Sequence, residues 1–254
     1  MNVKNTEGLK RLVFYKELAN VVALLNERKI LFLFIKGLPL SILLYEDNTK
    51  RLYSDIDLFI SKKDLCPTIS SLSALGFINV RGWIPKEVSK QITLRKIVYG
   101  IPIDIDLHYE LTQFKTINDT LDFNSIYKQS IEFSFGNCVC KTMPYNIALD
   151  FSIYHLKLER MRGNLETFKW EKDIELLIKK LKFVPFVNNL TITEFIDLNK
   201  KRQKYSYFLF RLLECRRKLT FLKESLFPPK SELSYSGKYK TRLHRLLGIE
   251  NEKN

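Results

Sequence analysis

The sequence predicts an α/β fold of the α+β type, with a small mixed β-sheet flanked by helices and a helical C-terminal domain after it. Asp55–Ile60 and residues 101–109 both alternate polar and aliphatic side chains, which is typical of half-buried strands. Residues 8–27 instead repeat apolar side chains at helical spacing. After Pro144 long helical patterns replace the short strands, so the strands and the helices separate along the chain.

The first third of the chain predicts alternating helices and strands. The helix at residues 8–27 is followed by a continuous apolar run at 30–35, which favours a buried strand ended by Lys36-Gly37. A second helix is expected from Pro39, because proline suits a first helical turn. Residues 62–75 predict a helix that stops at Gly76, and the next four residues predict an extended segment.

Two hairpins and three helices are expected in the rest of the chain. Residues 92–99 and 101–109 are rich in β-branched and aromatic side chains, with the turn expected at Gly100-Ile101-Pro102. A second hairpin is expected for residues 131–135 and 139–143, and helices for 145–162, 165–182 and 205–224. We therefore expect domains at 1–142 and 143–226, and a basic, loosely held tail at 227–254.

The composition is that of an ordinary globular protein. The 254 residues are 45% hydrophobic, which is enough for a buried core without disulfides. No run approaches the roughly 20 apolar residues that cross a bilayer, since Lys36, Gly37 and Pro39 interrupt the most apolar stretch. The first residues show no apolar signal region. We expect a cytoplasmic protein that does not associate with membranes.

The net charge of +14 is concentrated near the C-terminus. Residues 200–254 hold 15 Lys or Arg against 5 Asp or Glu, whereas residues 1–199 hold 27 against 23. Such a region could attract RNA, nucleotide phosphates or an acidic partner, but a solvated lysine-rich helix has the same composition. Both interpretations stay open.

Paired acids on two predicted strands indicate a cation site. Asp55 and Asp57 share one face of a strand, about 7 Å apart along the backbone, and the strand at 101–109 can supply a third carboxylate. Carboxylates that converge on one sheet face repel one another unless a cation or a basic group compensates them. Mg²⁺ held in this way binds substrate phosphates in phosphoryl and nucleotidyl transfer.

The order of these features resembles the nucleotidyltransferase superfamily with the DNA polymerase β fold, in which a glycine-containing turn touches the triphosphate and a DxD strand binds metal. More closely, the chain resembles an uncharacterised bacterial nucleotidyltransferase-like family. The matching segments are IKGLPLSILLY, RLYSDIDLFI, LSALGF and IDIDLHYEL, and then the helical segments with YHLKLERMRG and WEKDIELLI. The resemblance spans roughly residues 24–181 and implies a catalytic domain at 1–142 and a helical domain that covers the cleft.

The resemblance implies roles for particular residues. Asp55 and Asp57 match the metal-binding pair, and Asp106 matches the third acid. Lys36 and Gly37 match the turn at the nucleotide phosphates, although relatives in the wider superfamily often have Gly-Ser there. A lysine at this turn supplies a point charge in place of a hydroxyl.

Four further residues have more than one interpretation. Asp104 either substitutes for Asp106 or faces solvent. His108 either supports the acids or acts as a base on the acceptor, and His155 either packs against the sheet or lines the cleft. Arg51 either reaches a phosphate or pairs with one of the acids of the DID strand.

The function implied by the resemblance is transfer of a nucleoside monophosphate from an NTP to an unidentified small molecule, peptide or protein, with Mg²⁺ or Mn²⁺ as cofactor and pyrophosphate as product. One alternative is a toxin-type enzyme acting on RNA or tRNA, motivated by the basic C-terminal quarter. That alternative requires salt-dependent binding of tRNA. Another is a nucleotide-binding or partner-binding module without turnover, which the complete set of acids disfavours.

Overall fold

The computed structural model describes residues 3–80, 90–112, 118–119, 121–161 and 167–181. Contacts divide the chain into two compact units. The first unit contains the sheet and comprises, among the described residues, 3–43, 47–80, 90–110 and 123–143. Of the second unit the structure describes 44–46, 111–112, 118–119, 121–122, 144–161 and 167–181.

Most predicted elements are confirmed, with small shifts at their ends. The helices are α1 (Val3–Glu27), α2 (Gly37–Leu44), α3 (Leu65–Ala74), α4 (Phe123–Lys128), α5 (Tyr145–Met161) and α6 (Phe168–Leu181). The strands are β1 (Phe32–Phe34), β2 (Asp55–Ile60), β3 (Ile78–Asn79), β4 (Gln91–Val98), β5 (Ile101–His108), β6 (Ile131–Phe135) and β7 (Cys138–Thr142). Single 3₁₀ turns lie at Asn48–Lys50 and Lys62–Asp64. The short α4 was not predicted, and the helix expected at 205–224 lies outside the described residues.

The strands form one mixed sheet in the order β3-β4-β5-β2-β1-β7-β6. The prediction of a mixed sheet is confirmed, and the described part of that sheet has seven strands. Strand β2 pairs parallel with β5 and antiparallel with β1, so it is an interior strand. Five of its six residues are buried, so both of its faces are covered over most of its length. Phe59 of β2 accordingly lies under Phe123 of α4, with ring centroids 5.4 Å apart.

The aliphatic face of β2 and β5 forms the core of the first unit. Ile56, Leu58 and Ile105 are almost fully buried, in a cluster that includes Val22 and Leu25 of α1. The alternation seen in the sequence explains this arrangement, because aliphatic side chains at every second position all point toward α1. The polar positions between them are directed to the opposite face.

The hairpin between β4 and β5 turns one residue earlier than predicted. Tyr99 and Gly100 both have positive φ, at 51° and 75°, and form a two-residue loop between the paired residues Val98 and Ile101. Such a loop needs positive φ at both positions, which glycine adopts without steric cost. Pro102, expected in the turn, already belongs to β5.

Helices α1 and α3 end in the same hydrogen-bonded motif. After α1, the Ile30 amide donates to the Leu25 carbonyl at 2.9 Å, and Lys29 has φ 55°. After α3, the Phe77 amide donates to the Leu72 carbonyl at 3.1 Å, and Gly76 has φ 89°. This is the Schellman arrangement, in which a left-handed residue closes the helix and a following apolar residue packs back on it. The predicted stop at Gly76 is confirmed.

The described part of the second unit is built around α5 and α6, which pack against each other. Asp173 of α6 is 1% exposed and accepts a hydrogen bond from the Tyr45 hydroxyl at 2.8 Å. His155 of α5 meets the Trp170 ring edge to face, with centroids 5.1 Å apart. Among the described helices, none is both long enough and apolar enough to cross a membrane.

Candidate active site

Strands β2 and β5 bring the two acidic segments side by side. They pair parallel with Asp55 opposite Asp104, Asp57 opposite Asp106 and Phe59 opposite His108. Neighbouring strands lie about 4.8 Å apart, and partners in register point to the same face. The four aspartates and the histidine therefore share one face of the sheet, opposite the face that packs against α1.

Three of these residues converge. Asp57, Asp106 and His108 each offer a ligand atom, and these atoms all lie within 4.8 Å of one another. Asp57 and His108 are buried, at 7% and 4% exposure, whereas Asp106 is partly accessible. Mg²⁺ and Mn²⁺ both bind carboxylate oxygens, and Mn²⁺ also binds imidazole nitrogen. Two carboxylates and one imidazole are therefore suitable ligands for such a cation.

Lys36 reaches this acid cluster from the turn between β1 and α2. Its Nζ lies 2.6 Å from Asp57 Oδ1 and 3.5 Å from His108 Nε2. The Nε2 atom of His108 lies 3.0 Å from the same Asp57 oxygen. Burial by itself raises the pKa of Asp57, but the charge of Lys36 and the hydrogen bond with His108 outweigh it and hold the pKa well below its usual range. Asp57 is therefore an ionised carboxylate at neutral pH.

The backbone of the turn is built to place Lys36 there. The Ile35 amide donates to the Asp57 carbonyl at 3.0 Å, which fixes the end of β1 against the middle of β2. Lys36 then adopts the left-handed conformation, with φ 59°. This conformation is uncommon for a residue other than glycine and is often found at functional sites.

Gly37 is required at this turn by a close approach. A Cβ atom on Gly37 would lie 2.8 Å from the Cβ of Tyr53, closer than real Cβ atoms come. The first residue of α2 can therefore pack against the segment that precedes β2 only if it has no side chain. Its neighbours Lys36 and Leu38 then lie at the amino end of the helix, where backbone amides favour anions.

Asp106 is oriented by β4. The Thr93 hydroxyl donates to its Oδ1 at 2.7 Å, and the Gln91 side-chain amide donates to its Oδ2 at 3.0 Å. Neither residue was identified from the sequence. They were missed together with the turn, because only the observed two-residue loop places Thr93 opposite Asp106 and Gln91 opposite His108.

Asp104 and Asp55 are outside the cluster. Asp104 pairs with Arg95 of β4 through two hydrogen bonds, of 2.6 and 2.7 Å. This bidentate pair engages both of its carboxylate oxygens, and the Asp104 side chain stays partly exposed. Asp55 is opposite Asp104 in the register and, though on the shared face, is not one of the three convergent residues.

Two further predicted site residues, Arg51 and His155, are not among the three convergent residues. Arg51 is 4% exposed, and its Nη1 donates to the Leu52 carbonyl at 2.6 Å. It lines a cavity described below. His155 belongs to the second unit, where its ring contacts are with Trp170 and Phe151.

A mixed sheet with convergent acids on neighbouring parallel strands, beside a strand-to-helix turn, is the arrangement of a nucleotidyltransferase. The chain belongs to a family described as uncharacterised nucleotidyltransferases, whose family profile matches residues 4–202. A solved structure that it resembles is that of an antigenic nucleotidyltransferase-like protein from Paracoccidioides brasiliensis. The two share 16% identity over 65% of this chain and 76% of the other, with a TM-score of 0.43. A search of curated proteins finds no match.

Proposed function

We propose that the protein transfers a nucleoside monophosphate from an NTP to an acceptor hydroxyl or phosphate. The observation that supports this most is the convergence of Asp57, Asp106 and His108 beside the Lys36 turn. An acceptor oxygen attacks the α-phosphorus, the bond to the bridging oxygen breaks, and pyrophosphate leaves with the electron pair. The acceptor proton passes to solvent.

The acid cluster is the proposed cation site. Asp57 and Asp106 would provide oxygen ligands, and His108 would provide a nitrogen ligand in place of the catalytic base considered from the sequence. A bound Mg²⁺ or Mn²⁺ supplies Lewis-acid stabilisation of the charge that develops on the phosphates. Asp55 lies on the same face one pair toward the start of β2, and we assign it to a further ligand position near the substrate.

The Lys36-Gly37 turn is the proposed triphosphate contact. The ammonium of Lys36 already lies among the cluster residues, so phosphate oxygens that approach Asp57 meet it directly. Gly37 opens α2, and the amide groups of a helix start favour phosphate. Lys36 therefore has a fixed position from which it can compensate negative charge on both the carboxylate and the nucleotide.

Label transfer tests the proposal. The full-length protein would be incubated with each α-labelled NTP, with Mg²⁺ or Mn²⁺, and with a fractionated cell extract as the source of acceptors. Labelled product and pyrophosphate are expected only when a divalent cation is present. Asp57→Asn and Asp106→Asn should each lower the rate by about 100-fold, since each removes a charge that acts on the transition state.

Asp104→Asn is the matched control for this experiment. It makes the same chemical change on the same strand face, outside the acid cluster. Its rate should stay within about threefold of the wild type. Equal losses in Asp104→Asn and Asp106→Asn, or full transfer by Asp57→Asn, would contradict the assignment of the cluster.

An RNA acceptor is a second candidate, favoured by the excess of basic residues at 200–254. That region lies outside the described residues, so the RNA partner stays a prediction from the sequence.

A further inference from the structure

A cavity of about 530 Å³ lies at the end of the sheet where strands β2 and β5 begin. Ser54, which precedes the first residue of β2, lines it, and so do Ile101 and Ile103 of β5. Ile101 and Ile103 alternate with Asp104 along the strand, so they point to the face opposite the acids. Pro102, which lies between them on the acid face of the strand, also lines the cavity, so the cavity surrounds the start of β5 beside α1. None of the three convergent residues lines it, and it is therefore distinct from the acid cluster.

Three basic side chains line this cavity. Lys10 and Arg11 come from α1, and Arg51 comes from the segment before β2. None of the twelve described lining residues is acidic. Asp47 acts on Arg11 electrostatically from outside the cavity, but its carboxylate accepts hydrogen bonds from the backbone and the hydroxyl of Thr49. A concave site with cations and no lining acids favours an anionic ligand.

Three aromatic side chains form part of the cavity wall. Phe14 and Tyr15 of α1 line it together with Tyr53, and the rings of Phe14 and Tyr53 lie 5.6 Å apart. The Arg11 guanidinium donates to the Tyr15 hydroxyl at 3.0 Å, which joins the basic residues to this wall. Burial raises the pKa of Tyr15, but hydrogen bonds with Arg11 and Tyr53 outweigh that effect and lower it. Burial and the neighbouring Tyr15 raise the pKa of Tyr53, so Tyr53 contributes a neutral phenol to the same wall.

We infer that this cavity binds a small organic anion, with its apolar or aromatic body against Phe14, Tyr15 and Tyr53 and its phosphate or carboxylate group between Arg11 and Arg51. Its volume lies within the range of roughly 300–1,000 Å³ typical of small-molecule sites. Apolar walls with a few placed polar groups are also the usual composition of such sites. The inference does not depend on nucleotidyl transfer.

Calorimetric titration of the full-length protein tests this inference. Phenyl phosphate and benzoate serve as aromatic anions, inorganic phosphate as an anion without a ring, and benzyl alcohol as a ring without charge. The titrations contain no divalent cation, so the carboxylates of the acid cluster do not attract the anions. Phenyl phosphate, benzoate or both should bind at least about tenfold more tightly than inorganic phosphate and benzyl alcohol.

Matched substitutions locate the site. Arg11→Gln should weaken binding of the preferred aromatic anion about tenfold, whereas Arg28→Gln, the same change at an exposed position outside the cavity, should not. Lys10→Gln with Lys16→Gln as its control gives a second pair on exposed positions of α1. Absence of binding by both aromatic anions at millimolar concentration, or equal effects within both pairs, would overturn the inference.

Discussion

At the scale of single residues, an unfavourable backbone conformation at Lys36 places its side chain in the candidate active site. A left-handed lysine costs roughly 1–2 kcal/mol relative to an ordinary conformation. The 2.6 Å contact of its ammonium with the buried Asp57 carboxylate offsets that cost, because a buried carboxylate without a partner is far less favourable. The conformation and the ion pair therefore depend on each other.

Gly37→Ala should destabilise the protein by about 1–3 kcal/mol, because the added Cβ would meet Tyr53 at 2.8 Å and the turn would have to move. We expect a matching loss of transfer activity, since Lys36 moves with the turn. Urea denaturation and label transfer would measure the two effects.

Gly8→Ala is the control for that variant. A Cβ at Gly8 meets nothing within 4 Å, and alanine suits a helix better than glycine by about 1 kcal/mol. The control should therefore be as stable as the wild type or slightly more stable. A Gly37→Ala protein with the stability of the Gly8→Ala protein would refute the close-packing argument.

At the scale of elements, the shared ending of α1 and α3 gives a paired prediction. Gly76→Ala should destabilise by about 1 kcal/mol, because its φ of 89° is unfavourable for alanine. Lys29→Gly should stabilise by about 0.5 kcal/mol, because glycine adopts the left-handed conformation more readily, although it gains entropy in the unfolded chain. Urea denaturation of both variants checks the opposite signs, and shifts of the same sign would disprove the explanation.

At the scale of the whole molecule, pH dependence of stability should be traceable to Asp150 of α5. Asp150 is 7% exposed, and neither carboxylate oxygen has a hydrogen-bond partner among the described residues. Burial raises its pKa to about 8. The folded state therefore holds this proton more tightly than the unfolded state, in which an aspartate titrates near 3.9. The stability that protonated Asp150 contributes is complete below about pH 4 and is lost as the pH rises toward 8, by about 1.4 kcal/mol per pH unit.

Asp150→Asn should flatten that decline, because asparagine does not titrate. Thermal or urea unfolding at pH 5 and pH 8 would measure the difference between the variant and the wild type. Asp119→Asn, at an exposed position, is the control and should keep the wild-type slope. Parallel pH profiles for wild type and Asp150→Asn would show that the buried carboxyl is not responsible.

Much of the fold follows from local patterns. The strict alternation in β2 and β5 predicted both strands and the shared face of their acids, and Gly76 marked the end of a helix. The short α4 was missed because six residues are too few to show helical periodicity. The turn of the β4–β5 hairpin was misplaced by one residue, since the prediction relied on Pro102 and left out Tyr99 at positive φ.

The sequence by itself determined which residues could form a site: an acid pair on β2, acids and a histidine on β5, and a lysine and a glycine after β1. Only the tertiary structure decided which of them meet. The parallel pairing of β2 with β5 puts Asp57 beside Asp106. The register of β4 against β5 places Arg95 where it forms an ion pair with Asp104. The physical reason is that side-chain periodicity is local, whereas strand order and ion pairing depend on residues tens of positions apart. Lys36 therefore joins the acids, while Arg51 lines a cavity together with residues of α1 and β5.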